Sequence, residues 1–334
     1  MVNSNVQVVF DRGVFLPELD LWLDSRKKKE SSLISHAHSD HTARHRRPVV
    51  TPNTKLLLSD YLKDSDPVVL PYREPLETPA YTLTLYPAGH CLGSAQALIQ
   101  SKATGERLLY TGDLRARSSP TNEPLEPVQC DTLVIESTYG RPDYVFPPQD
   151  QVLATAFRTL RTWLSRGERP VVRGWRLGKA QEVLFHLLAE GFEVSVEESV
   201  YRVVEAYQQA GVTFPGQVSV FNGEWPEGSL ALFPPGKRSA ALSSYRGKRV
   251  MELTGWAASD NRKWQSWSDA SLPFSDHADF NELVSYVEAV QPKQVYTVFG
   301  YSELAAKLRA MGYPAVHLNG NGAPTDAGFQ MQMI

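Results

Sequence analysis

The sequence predicts an α/β protein in two parts, on three observations. Short apolar runs, SSLISHAHSDH, YTLTLYPAGH, RLLYTGD and DTLVIEST, read as strands that end in turns carrying polar residues. After the proline pair at 147 and 148 the texture changes, and helical and strand-like runs alternate as in a small parallel α/β layer. The chain then resumes with PFSDHADF, a helix, the strand QVYTVFG and a last helix, SELAAKLRAMGY.

The four leading strands place reactive side chains at their exits. In the middle part QVLATAFRTLRTWLSRG has helical spacing, PVVRGW reads as a strand, GKAQEVLFHLLAEG as a helix, FEVSVE as a strand and ESVYRVVEAYQQAG as a helix. Strand-like QVSVF, SLALFPPG and KRVMELTG lead to a polar loop, ASDNRKWQSWSDAS. No repeat of solenoid length and no low-complexity segment occurs.

Length and composition set the outer bounds. At 334 residues and 42% hydrophobic content the chain can bury a substantial core and is expected to fold alone. No run reaches the roughly 18 apolar residues of a membrane span. MVNSNVQVVF lacks the basic start of a secretion signal, so the expected address is cytoplasmic, with no membrane partner. Cys91 and Cys130 are read as buried free thiols. The net charge of −3 excludes an indiscriminate polycation. Charge is uneven, however: residues 158–179 carry a local excess of six positive charges, and GKRSAALSSYRGKR at 236–249 is a second basic stretch. Either alone reads first as a solvated helix face or loop.

Histidine is rare, with eight in the chain, yet three fall in SHAHSDH. His36 and His38 sit two apart at a strand exit, so an extended backbone projects both imidazoles to one side, where one metal ion can take both. Asp40 and His41 add a carboxylate and a third imidazole within reach of a neighbouring ion. His90 and Asp113 occupy the same strand-exit position and are the candidates to close the sites, with Asp113 able to bridge. Nitrogen and oxygen ligands without cysteine suit zinc best, with manganese or iron as alternatives. His45 continues no ligand pattern and is expected at the surface.

SHAHSDH resembles the His-x-His-x-Asp-His motif of the metallo-β-lactamase superfamily, and His90 and Asp113 match its third and fourth motifs. Asp24, in LDLWLDS, fits its first motif as a residue that orients a ligand from behind. More of the chain resembles the β-CASP nuclease branch: IESTYG its motif A, with Glu136 as the acid, and PFSDHADF its motif B, with His277. WRLGKAQE and LTGW resemble that branch's Gly-Lys helix start and Thr-Gly-Trp turn. The resemblance implies an αββα sandwich over 1–146 and 252–334, with an inserted α/β cap over 147–251. The wording GHCLGSAQ, YTGDLR, LGKAQE and SDHADF is nearest to bacterial ligase-associated DNA exonucleases and more distantly similar to Artemis and Apollo.

The resemblance implies a DNA exonuclease acting 5′→3′ on single-stranded ends in repair, with one or two Zn²⁺ or Mn²⁺ ions and attack by a hydroxide bridging them. Asp40 would orient that hydroxide, and His277 would serve the leaving oxygen with Glu136 fixing it. His277 alone reads equally as a neighbour of a helix cap supplied by Ser275. Lys179 after Gly178, at a helix start, makes a phosphate seat. Arg115, Arg173 and Arg176, and the turn of Thr254, Gly255 and Trp256, are further substrate contacts. Trp175 and Trp256 could stack on a base, although packing is the plainer reading. Lactamase-like domain and cap are expected to form a cleft suited to a single strand.

RNA-processing members carry a motif C histidine where this chain has Phe299, so the second ion would rest on Asp40, His41 and Asp113. DNA-acting members also lack it, which tilts the expectation to DNA. An RNA nuclease of the same architecture, a small-molecule hydrolase and a scaffold are the competing readings. A DNA ligase and a helicase are the pathway partners implied.

Overall fold

The computed structural model describes residues 6–236, 242, 245–259 and 268–318. The basic stretch at 236–249 and the tryptophan-bearing loop at 258–271 therefore lie in large part outside the described residues. The chain divides into two compact units, Met1–Pro142 with His277–Ile334, and Asp143–Asp276.

The first unit opens with strands β1 (Val9–Phe10), β2 (Val14–Leu16), β3 (Leu21–Leu23), β4 (Ser31–Leu33), β5 (Arg47–Val50) and β6 (Val68–Val69), which pair in chain order. β1 to β3 are antiparallel, and β3 to β6 run parallel. The short helix α1 (Pro52–Leu57) follows β5, capped by the Thr51 hydroxyl, which accepts from Thr54 N. Strands β7 (Pro75–Glu77), β8 (Tyr81–Pro87), β9 (Ala95–Ser101), β10 (Arg107–Tyr110) and β11 (Thr132–Glu136) begin a second sheet.

The second unit alternates helix and strand: α2 (Gln149–Ser165), β12 (Arg169–Arg173), α3 (Lys179–Ala189), β13 (Val194–Val196), α4 (Glu198–Gln209), then β14 (Ser219–Val220), β15 (Leu230–Phe233), β16 (Lys248–Leu253) and β17 (Ala270–Leu272). Its sheet, ordered β14-β13-β15-β12-β16-β17, is parallel at every pairing, as the alternation predicts. β16 and β17 belong to this sheet, and the second unit runs to Asp276. Helix α2 buries Val152, Ala156, Leu160 and Trp163, one stripe at helical spacing, and leaves Arg158, Arg161 and Arg166 exposed.

The chain re-enters the first unit with α5 (Phe280–Val290), β18 (Gln294–Val298), α6 (Glu303–Ala310) and β19 (Ala315–His317). The second sheet is then ordered β19-β18-β11-β10-β9-β8-β7. Two apolar cores follow from strand alternation. Leu16, Leu23, Leu33 and Val49 of the first sheet meet Leu83, Leu85, Ile99, Leu108 and Tyr110 of the second between the sheets. Leu109, Leu133 and Ile135, on the opposite face, pack against Leu283 and Val287 of α5 and Leu304 and Leu308 of α6. The first unit is a two-sheet sandwich, and the α/β second unit is inserted between its two chain segments.

Helix α5 corrects one expectation. Its cap is Asp279, whose carboxylate accepts from Glu282 N while Glu282 accepts from Asp279 N, rather than Ser275. Both cysteines are buried thiols, as expected, and burial pushes Cys130 up to about 12. Among the described residues no helix is long and apolar enough to cross a membrane.

Candidate metal centre

Strand exits of both sheets converge at one edge of the first unit. β4 continues through Ile34, whose N–H bonds Val49 O at 3.0 Å, into Ser35 and His36. His38 keeps extended dihedrals, φ −80° and ψ 145°, so His36 and His38 project together before the tight turn Ser39–His41. His90 enters from the loop between β8 and β9, where the Ser94 hydroxyl oxygen accepts from His90 N at 3.1 Å and Cys91 N at 3.2 Å. Asp113 follows β10 by way of Gly112, which has φ +56° and where a Cβ would stand 2.7 Å from the Ser35 side chain. Only glycine lets the two strand exits approach this closely.

The donor atoms of His36, His38, His90 and Asp113 lie within 4.8 Å of one another, and all four residues are buried. His36 Nε2 and His90 Nε2 each stand 3.1 Å from His38 Nδ1. Asp113 Oδ2 lies 3.5 Å from His36 Nε2 and 3.9 Å from His90 Nε2. Three ring nitrogens and a carboxylate facing one point suit a divalent cation, because one ion can accept all their lone pairs. Burial, helped by the nearby His41, holds His36 well below the ordinary imidazole range, so it stays neutral as a ligand must be.

Asp113 also faces a second cluster, with His41 Nε2 3.4 Å from its Oδ2. Burial works against charge on both groups, but their mutual attraction wins: His41 is held well above the ordinary range, with Asp40 assisting, and Asp113 well below it. Asp40 is less tightly gathered. Its carboxylate reaches only to 3.9 Å from His41 Nε2, and it is absent from every close donor group among the described residues. Phe299 packs on His41 with ring centroids 5.1 Å apart, which leaves an apolar edge where the resemblance has a ligand in other members.

Asp24 lies behind the ligands, 1% exposed. Its Oδ2 accepts from His41 Nδ1 at 2.8 Å, from Ser35 Oγ at 2.5 Å and from Tyr110 OH at 2.7 Å, and its Oδ1 from Ser35 N at 2.7 Å. The carboxylate cannot donate, so His41 carries a proton on Nδ1, and its Nε2 is turned toward Asp113. The sequence gives no hint of Tyr110. Strand parity assigns it to the core, and only its hydroxyl reaches the site.

Glu136, at the end of β11, is fully buried and accepts from Leu114 N at 2.7 Å. His277 Nδ1 stands 3.1 and 3.2 Å from its two oxygens and 4.0 Å from Asp113 Oδ2, so the Glu136–His277 pair borders the metal cluster. Arg117 fastens this corner by donating to Glu282 at 2.5 Å and Asp279 at 3.2 Å at the start of α5.

The expected substrate contacts divide. Arg176 is exposed, Arg173 and Trp175 are half-buried, and Trp256 packs edge-on against Tyr144 at 5.4 Å in the turn Gly255–Ala258, after Thr254. Arg115 is 1% exposed, within the interior rather than on an open face. Lys179 is also buried and pairs with Asp276 at 3.0 Å, and the N–H of Gly178 donates to the Gln181 side chain. His45 is a correction: it is 1% exposed, its Nδ1 accepts from Lys29 N at 3.1 Å, and burial lowers it to about 4.

A two-sheet sandwich with this His and Asp cluster at its edge is the architecture of the metallo-β-lactamase class. No protein-family profile matches the chain. It is 36% identical over 313 residues to a protein of Opitutus terrae named probable DNA ligase, covering 92% of this chain and 30% of that one. To the mouse DNA cross-link repair 1A protein it is 25% identical over 290 residues, covering 78% of this chain and 28% of that one. To a ribonuclease of Thermus thermophilus it is 29% identical over 194 residues, covering 49% and 44%. A crystal structure of a protein of unknown function from Enterococcus faecalis shares the fold, with TM-score 0.56 at 13% identity over 88% of this chain and 80% of that one. The chain spans less than a third of the length of the first two relatives. The chain belongs to the β-CASP branch of the metallo-β-lactamase superfamily.

Proposed function

We propose that this protein is a metal-dependent nuclease that removes nucleotides from single-stranded DNA ends in repair, in the 5′→3′ direction. The observation that carries the reading is the shared Asp113: its carboxylate faces the His36, His38 and His90 nitrogens on one side and His41 on the other, beside the Glu136–His277 pair. His36, His38, His90 and Asp113 would hold one ion, and Asp40, His41 and Asp113 a second, with zinc the best fit and manganese the alternative. When bound, such ions supply positive charge at the scissile phosphate and lower the pKa of water.

The chain's own residues supply proton handling and orientation. Asp40 is the most open carboxylate of the set and is assigned to accept the proton of the attacking water. His277, held through Nδ1 by Glu136, is assigned to donate to the leaving oxygen through its other nitrogen. Asp24 fixes His41. On the second unit Arg173, Trp175, Arg176 and the turn Thr254 to Trp256 are assigned to the strand, while Lys179 is buried and paired with Asp276.

DNA is favoured over RNA by the shares of the chain involved. Relatives whose names refer to DNA match 92% and 78% of it, whereas the ribonuclease matches 49%. Phe299 beside His41 agrees with a DNA-acting member. The RNA reading rests on the ribonuclease match. Similarity to part of a protein named probable DNA ligase supports a ligase as a pathway partner, and a helicase is assigned on the resemblance alone.

The test follows wild type and Asp40→Asn, with zinc or manganese, on matched single-stranded DNA and RNA labelled at one end, with and without a 5′-phosphate. Stepwise loss of DNA from the 5′ end by wild type alone is expected. Preference for RNA moves the assignment to the second reading, and full activity in Asp40→Asn removes the role given to that carboxylate.

A further inference from the structure

We propose that the crossover from β3 to β4, with Arg26, Lys27, Lys28 and Lys29, forms together with Arg12 a second nucleic-acid contact on the first unit, holding backbone phosphates of a strand beyond the reacting position. The inference rests on the nucleic-acid reading above. Residues 25–30 read SRKKKE, four successive cations in a chain of net charge −3. The metal cluster does not use them.

Their arrangement follows from topology. β3 and β4 are parallel, yet residues 24–30 make the whole connection, shorter than the dozen or so residues such a crossover ordinarily needs. It contains no helix. Trp22 and Phe15, which point out of the outer face of the first sheet, stack at 4.3 Å, and Lys29 Nζ lies 3.3 Å from the indole centroid. The crossover starts at Asp24, the residue that orients His41, so it leads directly away from the site.

The loop is also rigidly held. Arg26 N donates to Arg12 O at 2.7 Å, Ser25 Oγ to Lys27 O at 2.9 Å, Lys29 N to His45 Nδ1 at 3.1 Å, and Arg46 N to Lys29 O at 3.1 Å. Gly13, with φ +140°, presses the β1–β2 hairpin onto it, where a Cβ would stand 2.6 Å from Ser25 Cα. Hairpin and crossover therefore form one knuckle that carries Arg12, Arg26, Lys27 and Lys28 exposed on a fixed backbone. Asp11 offsets Lys27 at 2.7 Å, but both side chains are about half exposed and such a pair is readily screened.

Phosphate fits this surface better than a peptide does. Charge is dense and preorganised, while the nearby aromatic faces are covered by one another and by Lys29, leaving no apolar slot for side chains. The backbone that carries these cations begins at Asp24, whose carboxylate holds His41, so knuckle and metal edge are joined by one short segment.

The test uses the full chain with Arg12→Gln and Lys28→Gln combined, two exposed side chains outside the metal cluster. Binding to a cleavage-resistant single strand of about 30 nucleotides is measured against salt. Two lost phosphate contacts should flatten the slope of log K against log salt by about 1.4 and weaken binding several-fold at low salt. Arg12→Lys with Lys28→Arg should restore the slope, and cleavage of a strand of about six nucleotides, too short to span site and knuckle, should not change. An unchanged slope in the double Gln variant, with wild type binding normally, overturns the inference and leaves the nuclease reading intact. If wild type binds neither DNA nor RNA, the nuclease reading falls and the inference with it.

Discussion

Replacing Asp24 by Asn isolates the support of the metal centre from its ligands. The side chains are the same size, and Asn tolerates the left-handed backbone at this position, φ 49°. What changes is acceptance. Asp24 takes four hydrogen bonds, three of them on Oδ2 from His41, Ser35 and Tyr110 at 2.5–2.8 Å. An amide keeps one acceptor oxygen for Ser35 N, and its NH₂ then faces three donors. The two hydroxyls can rotate and accept instead; the imidazole N–H cannot. His41, held in its charged form in the metal-free protein, is left with an Nδ1–H that has no acceptor and loses one of its carboxylate partners. A buried unsatisfied donor costs about 1–3 kcal/mol, and loss of one charge-assisted bond a similar amount, so the metal-free protein should lose about 2–6 kcal/mol. Loss of an orienting partner typically lowers metal affinity about 10–100-fold. Urea denaturation in chelator measures the first quantity, and competition with a chromophoric chelator the second. Stability within about 0.5 kcal/mol of wild type together with unchanged metal affinity would refute the assignment of Asp24 as the group that orients His41.

Three further outcomes are expected. Lys179→Ala should destabilise the protein by about 3 kcal/mol in urea denaturation, because it strands buried Asp276 without its 3.0 Å partner; a change near zero would return Lys179 to the role of open phosphate seat. His45 should make stability fall as pH drops. Its pKa is about 4 in the folded state against an ordinary 6.5, so the unfolded chain binds the extra proton between those values and stability rises with pH across that window. His45→Gln should remove on the order of 2 kcal/mol of that dependence, allowing for partial screening, and parallel pH profiles of the two proteins would count against it. Phe299→His, placing an imidazole beside His41 at a left-handed position that His tolerates, should raise the number of ions retained after dialysis, with metal content per chain as the readout; unchanged metal content would mean that Phe299 does not border the second site.

The sequence by itself determined the candidate ligands and the framework that presents them, since both are written in short-range pattern. His36 and His38 share a side because they are two apart on extended chain, and His90, Asp113 and Glu136 follow strand runs that alternation makes legible. The parallel second unit was equally plain in its alternating periods. The first sheet was not: β1, β2, β3 and β6 are two or three residues long, too short to show a period. Only the tertiary structure decided which polar groups meet. Tyr110 reaches Asp24 across 86 positions of sequence, and Lys179 finds Asp276 instead of standing open. His45 is drawn inside by one backbone N–H, and Asp40 is left at the rim while Asp113 moves to the centre. Side-chain type and local spacing state what chemistry a residue can do; its partners and its charge depend on what the fold packs against it, and that is a long-range property.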